Sequence, residues 1–155
     1  MDSLATSPRI TPFLWFDTQA AEAARFYVGI FPNSRILEQV PVNEGIPHPP
    51  SPILTVAFEL DGARFTALNG GPAFRFTEAV SFVVRCDSQA EVDRFWSALS
   101  AGGSEGRCGW LKDRFGLSWQ IVPARLAELI RHPKAVQALL QMNKINLAEL
   151  ERAAS

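Results

Sequence analysis

The sequence predicts an α+β protein built from a duplicated unit, each copy running strand, helix and then three strands. Three observations carry this. First, residues 13–31 (FLWFDTQAAEAARFYVGIF) resemble residues 81–99 (SFVVRCDSQAEVDRFWSAL). Each passes from an apolar run through Asp-Thr-Gln-Ala (17–20) or Asp-Ser-Gln-Ala (87–90) into Arg-Phe-Tyr (25–27) or Arg-Phe-Trp (94–96). Asp87 follows Asp17 by 70 residues, too long for a solenoid repeat and suited to a duplicated half-domain. Second, each copy is followed by strand-like runs rather than by alternating helices, which argues against a doubly wound parallel sheet. Third, residues 124–155 carry helix signals only. The expected layout is one domain over 1–155, with a first module at 10–72, a second at 79–123 and a helical tail at 124–155.

The first helix follows Asp17 and presents Ala23, Phe26, Tyr27, Ile30 and Phe31 as one apolar face. Phe31-Pro32-Asn33-Ser34 ends it. Strands are expected at 35–40, 53–60 and 63–69, with Asp61-Gly62 as a hairpin turn between the last two. Residues 41–52 hold five of the eleven prolines and no periodicity, so they form a loop, either a lid or a plain connection. In the second copy Ser88-x-x-Glu91 is a capping box, in which hydroxyl and carboxylate satisfy early helix amides. Behind it, Val92, Phe95, Trp96 and Leu99 fall at i, i+3, i+4 and i+7. Strands are expected at 105–108, 109–112 and 117–122, the last two joined by Lys112-Asp113-Arg114-Phe115-Gly116. In the tail, Pro133 suits a helix first turn, Val136, Leu139 and Leu140 form an apolar stripe, and Asn146-x-x-Glu149 caps a last short helix.

Bulk properties narrow the function. The net charge is −1, with none of the basic excess a nucleic-acid binder shows. No apolar run approaches a membrane span. The start, MDSLATSPRI, has an acid at position 2 and no apolar core, so no secretory signal is expected. Cys86 and Cys108 do not form a disulfide framework, which fits a reduced, cytoplasmic setting.

Four segments carry a family resemblance: ITPFLWFD (10–17), RFYVGIFPNS (25–34), LNGGPAF (68–74) and CGWLKDRFGLSWQIVP (108–123). Together they resemble the PhnB-like branch of the vicinal oxygen chelate superfamily, which includes glyoxalase I, bleomycin-resistance proteins and extradiol dioxygenases. The branch carries the label 3-demethylubiquinone 3-methyltransferase. The resemblance implies two βαβββ modules whose curved mixed sheets enclose a pocket, and a homodimer.

It also implies where a metal would sit. Metal-using relatives hold a divalent ion with His, Glu or Gln from two strands of each module. Their His, six residues before the helix-opening Asp, corresponds to Ser81; their Glu, after a D-x-x-G turn, corresponds to Gln120. In the first module the matches are Thr11 or Pro12, and a position within 65–69 that holds no acid. His48 and His132 lie outside these strands. No metal, no cofactor and no catalytic residue is therefore assigned.

The candidate ligand contacts are Gln120, Ser81, Asn69, Trp110 and Trp15. A strand glutamine offers an acceptor and two donors without the cost of a buried carboxylate; it also suits a buried amide satisfied by backbone. Ser81 suits a contact or a hydroxyl bonded within the sheet. Asn69, before Gly70-Gly71, suits a left-handed turn as well as a contact. If Gln120 faces the pocket, Ser118 and Val122 do too, while Trp119, like Trp96, is core. Cys108 suits a small buried thiol or, with Arg107 or Lys112 beside it, a nucleophile.

The expected function is binding of an unidentified small molecule in a metal-poor pocket. The alternatives are a metal-dependent lyase, isomerase or dioxygenase, and a methyltransferase. The last is disfavoured because no glycine-rich loop follows a strand and opens a helix. The expected partners are that small molecule and a second copy of the chain, with neither nucleic acid nor membrane.

Overall fold

The computed structural model describes residues 6–155; residues 1–5 of the segment read for a leader lie outside the described residues. The chain divides into two units, one ending at Arg75 and the other spanning Phe76–Ser155.

In the first unit the order is β1 (Phe13–Phe16), α1 (Ala20–Ile30), β2 (Arg35–Pro41), β3 (Ile53–Leu60) and β4 (Ala63–Asn69). The sheet runs β1-β4-β3-β2, with β1 parallel to β4 and the rest antiparallel. Alternation assigns the faces. Leu14, Phe16, Val56, Phe58, Phe65 and Ala67 are buried, as are Ala20, Ala23, Ala24 and Tyr27 of α1. The three small α1 residues let the helix backbone approach the sheet closely. The Phe58 and Phe65 rings stack across β3 and β4, 5.4 Å apart. Asp61 and Gly62 both take positive φ, 46° and 88°, as the tight two-residue hairpin requires. Pro41 closes β2 rather than opening the loop, and the Val42 N–H donates to Pro52 O (3.0 Å) across the loop's base.

The second unit repeats the order with β5 (Ser81–Cys86), α2 (Gln89–Ser100), β6 (Ser104–Glu105), β7 (Trp110–Lys112) and β8 (Ser118–Pro123), in a sheet β5-β8-β7-β6. Val84, Cys86, Leu111, Trp119 and Ile121 are buried, with Val92, Phe95, Trp96 and Leu99 of α2. The capping box forms: Ser88 Oγ accepts from the Glu91 N–H (3.2 Å), and Glu91 Oε1 accepts from the Asp87 N–H (2.6 Å). The expected strands at 105–108 and 109–112 are shorter than the pattern suggests. Cys108 (φ 59°) and Gly109 (φ 85°) are left-handed, a conformation no strand tolerates, so residues 106–109 turn instead.

The tail forms α3 (Leu126–Leu129), α4 (Pro133–Leu139) and α5 (Leu147–Ala154). Pro133 opens α4, and Asn146 Oδ1 accepts from the Glu149 N–H (3.1 Å) at the start of α5. The expected α4 stripe is rotated: Ala135 is buried and Leu140 is 52% exposed. Leu129, Met142, Ile145 and Leu150 form a separate buried cluster that fastens the tail. Gln89 adds a clasp, donating to Ile145 O (3.0 Å) and accepting from the Leu147 N–H (2.8 Å).

The two units therefore show the α+β class and the paired four-strand mixed sheets that the sequence predicts.

Candidate functional site

Gln120 owes its direction to its neighbours in β8. Trp119 and Ile121 are buried among the core side chains, so Ser118, Gln120 and Val122 fall on the other face of the sheet. Trp119 is held by more than packing: its indole N–H donates to Asp113 Oδ2 (2.9 Å). The same carboxylate accepts from the Phe115 N–H (2.8 Å) and the Leu117 N–H (3.1 Å) through Oδ1. Asp113 is thus a buried carboxylate with both oxygens engaged by the turn it shapes, and through Trp119 it locks the strand position next to Gln120.

On this open face, cross-strand register places Gln120 between Val83 of β5 and Trp110 of β7, with Ser81, Ser118 and Lys112 as the adjoining row. Gln120 Nε2 donates to Ser81 Oγ at 2.9 Å. Because a serine hydroxyl both donates and accepts, the pair holds in either amide orientation. Among the described residues Gln120 Oε1 accepts no hydrogen bond, and the pair is half-buried. Gln120 is therefore not satisfied by backbone; three of the five expected contacts, Gln120, Ser81 and Trp110, share one surface. Val83 lies on it 60% exposed.

The other two candidates lie elsewhere. Asn69 is 3% exposed and occupies the buried side of β4. Its Oδ1 accepts from the Ala20 N–H (2.8 Å) and its Nδ2 donates to Ile53 O (2.9 Å). The expectation of a left-handed turn residue is corrected: Asn69 ends β4 in extended backbone, and its side chain clamps the start of α1. Trp15 is half-buried, donates from Nε1 to Gly71 O (2.9 Å), and meets Phe74 edge-on at 4.9 Å. Its indole lies where a Cβ on Gly70 would be, 2.3 Å away, which explains that glycine. Its polar atom is thus spent on the backbone that follows β4.

The register also fixes the internal correspondence between units. Val83 pairs with Gln120 as Phe13 pairs with Thr66, so Thr66 stands where Gln120 does, and Thr11 where Ser81 does. The donor positions implied by the resemblance are thus Ser81, Gln120, Thr11 and Thr66. None offers an imidazole or a carboxylate, so the set does not fit a divalent ion. Among the described residues no three His, Cys, Asp or Glu side chains gather into a ligand set.

The cysteines divide. Cys86 is buried in the second core, and its thiol is pushed up to about 11, chiefly by burial and then by Glu91 and Asp87. Cys108 is half-buried in the 106–109 turn, its N–H donating to Met142 O (2.8 Å). Ser118, which alternation places on the same face as Gln120, is not among the expected contacts. Ser118 lines a recess of about 150 Å³ beside Trp110 and Lys112, and its hydroxyl is buried without a partner.

Comparison with known proteins agrees with this architecture. The family model described as 3-demethylubiquinone-9 3-methyltransferase matches residues 8–122. The PhnB protein of Bacillus cereus is 30% identical, with 76% of this chain and 100% of that chain covered and a TM-score of 0.69. The PA1353 protein of Pseudomonas aeruginosa is 24% identical over 76% of this chain and 98% of that chain, with a TM-score of 0.64. A glyoxylase/bleomycin resistance protein/dioxygenase domain from Frankia shares 12% identity over 78% and 95% of the two chains, at a TM-score of 0.53, and shows the fold alone. No curated protein matches. The chain belongs to the 3-demethylubiquinone-9 3-methyltransferase family, the PhnB-like branch of the glyoxalase/bleomycin resistance/dioxygenase fold.

Proposed function

We propose that the chain binds a small molecule on the open face of the second unit without a divalent ion. Gln120 and Ser81 serve as a neutral hydrogen-bonding pair and Trp110 as an apolar wall. The observation that carries this reading is the Gln120–Ser81 bond at 2.9 Å, formed where metal-using relatives are expected to carry a carboxylate and an imidazole. A half-buried amide with an unclaimed acceptor, next to an indole, is the composition of a small-ligand contact. Native mass spectrometry of the purified protein, with metal analysis on the same sample, tests it. The expected result is a co-purifying organic molecule that is lost in Gln120→Ala, with metal well below one equivalent. Stoichiometric metal whose chelation abolishes an activity would overturn it in favour of metal-dependent chemistry.

The family's description names methyl transfer. Two features argue against that activity here. The β1–α1 and β5–α2 junctions are Asp17-Thr18-Gln19 and Asp87-Ser88, without glycine, and Gly70-Gly71 follows a strand but opens no helix. Saturable binding of S-adenosylmethionine by calorimetry would reverse this reading.

A homodimer is inferred as well, supported by the exposed Phe13, Phe74 and Val83; sedimentation equilibrium checks it. No helix among the described residues is long and apolar enough to cross a membrane. A cytoplasmic setting rests on the two free cysteines.

A further inference from the structure

The recess beside Trp110 holds three groups that the Gln120–Ser81 pair does not use. The first is the Ser118 hydroxyl, 1% exposed and without a partner. Buried hydroxyls are nearly always paired, so an orphan lining a cavity points to a partner that is not protein. The second is Lys112, whose backbone pairs with Ser118 in the sheet, so that both side chains emerge on one face. The third is Glu78, which precedes β5 and forms an ion pair with the Lys112 ammonium. Glu105 also lines the recess, but its Oε1 is occupied by the Trp96 indole N–H (2.6 Å).

Glu78 and Lys112 are both substantially exposed, at 60% and 45%, so their pairing is screened and easily exchanged. The Glu78 carboxylate therefore marks, at the recess edge, the kind of group to which the ammonium donates. We propose that the recess takes a small planar carboxylic acid. Its carboxylate displaces Glu78 from Lys112 and accepts a hydrogen bond from Ser118, and its ring lies against Trp110. Glu78 is then an internal competitor that sets the affinity. This deepens the proposed small-molecule reading, resting on it for the shared Trp110 wall.

Benzoate and its neutral isostere benzamide are the probes, titrated into the full chain and followed by amide chemical shifts at residues 110–120. Benzoate is expected to bind the wild type. Glu78→Gln, which removes the competitor, is expected to bind it about two- to fivefold more tightly, the range an exposed ion pair supports. Lys112→Met is expected to weaken it by about tenfold or more, the loss of a charge-assisted bond. Benzamide is expected to respond to neither change. Absence of benzoate binding, or unchanged or weaker binding in Glu78→Gln, overturns the proposal and leaves Ser118 to water. A Gln120→Ala arm separates the two readings. Weakening there without a response at Lys112 and Glu78 sinks the acid site alone. Response at Lys112 and Glu78 with Gln120→Ala silent upholds the acid site and sinks the Gln120 reading.

Discussion

At the start of α1, the Ala20 N–H reaches across 49 residues of chain to the side chain of Asn69. At the start of α2, the Glu91 N–H finds Ser88 three residues back. The difference follows from the last strand of each unit. Phe16 pairs with Asn69 as Cys86 pairs with Pro123, so Pro123 stands where Asn69 does. A proline side chain has no oxygen to accept from a helix amide, and the second unit caps its helix locally. The first unit has Gln19 at that junction, which makes no capping bond. One strand order has thus been fastened in two ways, and the remote fastening is the one hidden from pattern reading.

The turns into the last strands differ in the same sense. Asp61 sits in a two-residue hairpin, exposed, while Asp113 is 2% exposed and holds two backbone amides and the Trp119 indole. In register, Trp119 stands where the first unit has Phe65, whose phenyl stacks on Phe58 and needs no acceptor. Matched Asp→Asn substitutions sharpen this contrast. Asp113→Asn turns an amide NH₂ towards the Trp119 N–H or towards the backbone amides, leaving a buried donor unsatisfied, and is expected to cost about 3 kcal/mol. Asp61→Asn keeps a residue tolerant of positive φ and is expected to stay within about 0.5 kcal/mol. Urea unfolding with tryptophan fluorescence measures both; equal costs would break the comparison.

The two helix fastenings rank next. Asn69→Ala strands the Ala20 N–H and the Ile53 carbonyl in a buried site, for an expected loss of about 2 kcal/mol. Ser88→Ala removes one exposed cap, for about 1 kcal/mol. Hydrogen exchange locates the damage: at the first turn of α1 in the one case, and of α2 in the other. An Asn69 variant as stable as wild type would return that residue to the candidate contacts.

What was legible in the sequence is what local periodicity and capping chemistry write. The repeat, the α2 face, the Asp61-Gly62 hairpin, the Ser88–Glu91 box and Pro133 at a helix start are all short-range features, whereas the α1 face is shifted towards Ala20 and Ala24, with Phe26, Ile30 and Phe31 only half-buried. Strand alternation separated Trp119 from Gln120 for the same reason. What was not legible depends on partners far along the chain. Asn69 looked like a turn residue because the Ala20 amide it serves lies on another element. The run at 105–112 looked like two strands because nothing in the pattern shows that Cys108 N–H and Gly109 N–H bond to the tail at Met142 and Asn143. The Ser118–Lys112–Glu78 recess likewise joins residues from three separate stretches.

A last contrast separates the units only at alkaline pH. Cys86 fills the core position that Phe16 fills in the first unit. Burial, with Glu91 and Asp87 nearby, raises its thiol from 9.0 to about 11. The sign follows from linkage. Between those values the unfolded chain has lost the thiol proton while the folded chain keeps it, so the unfolded state binds fewer protons and stability falls as pH rises. The contribution is fully present below pH 9, declines by at most about 1.4 kcal/mol per pH unit, and levels off above about 11. Cys86→Val keeps an apolar side chain there without a titrating group, so its unfolding free energy is expected to lose this component of the alkaline slope. A slope unchanged between wild type and Cys86→Val from pH 8.5 to 10.5 would show that the thiol is solvated in the folded chain, and that the second core is looser at this strand end than the first.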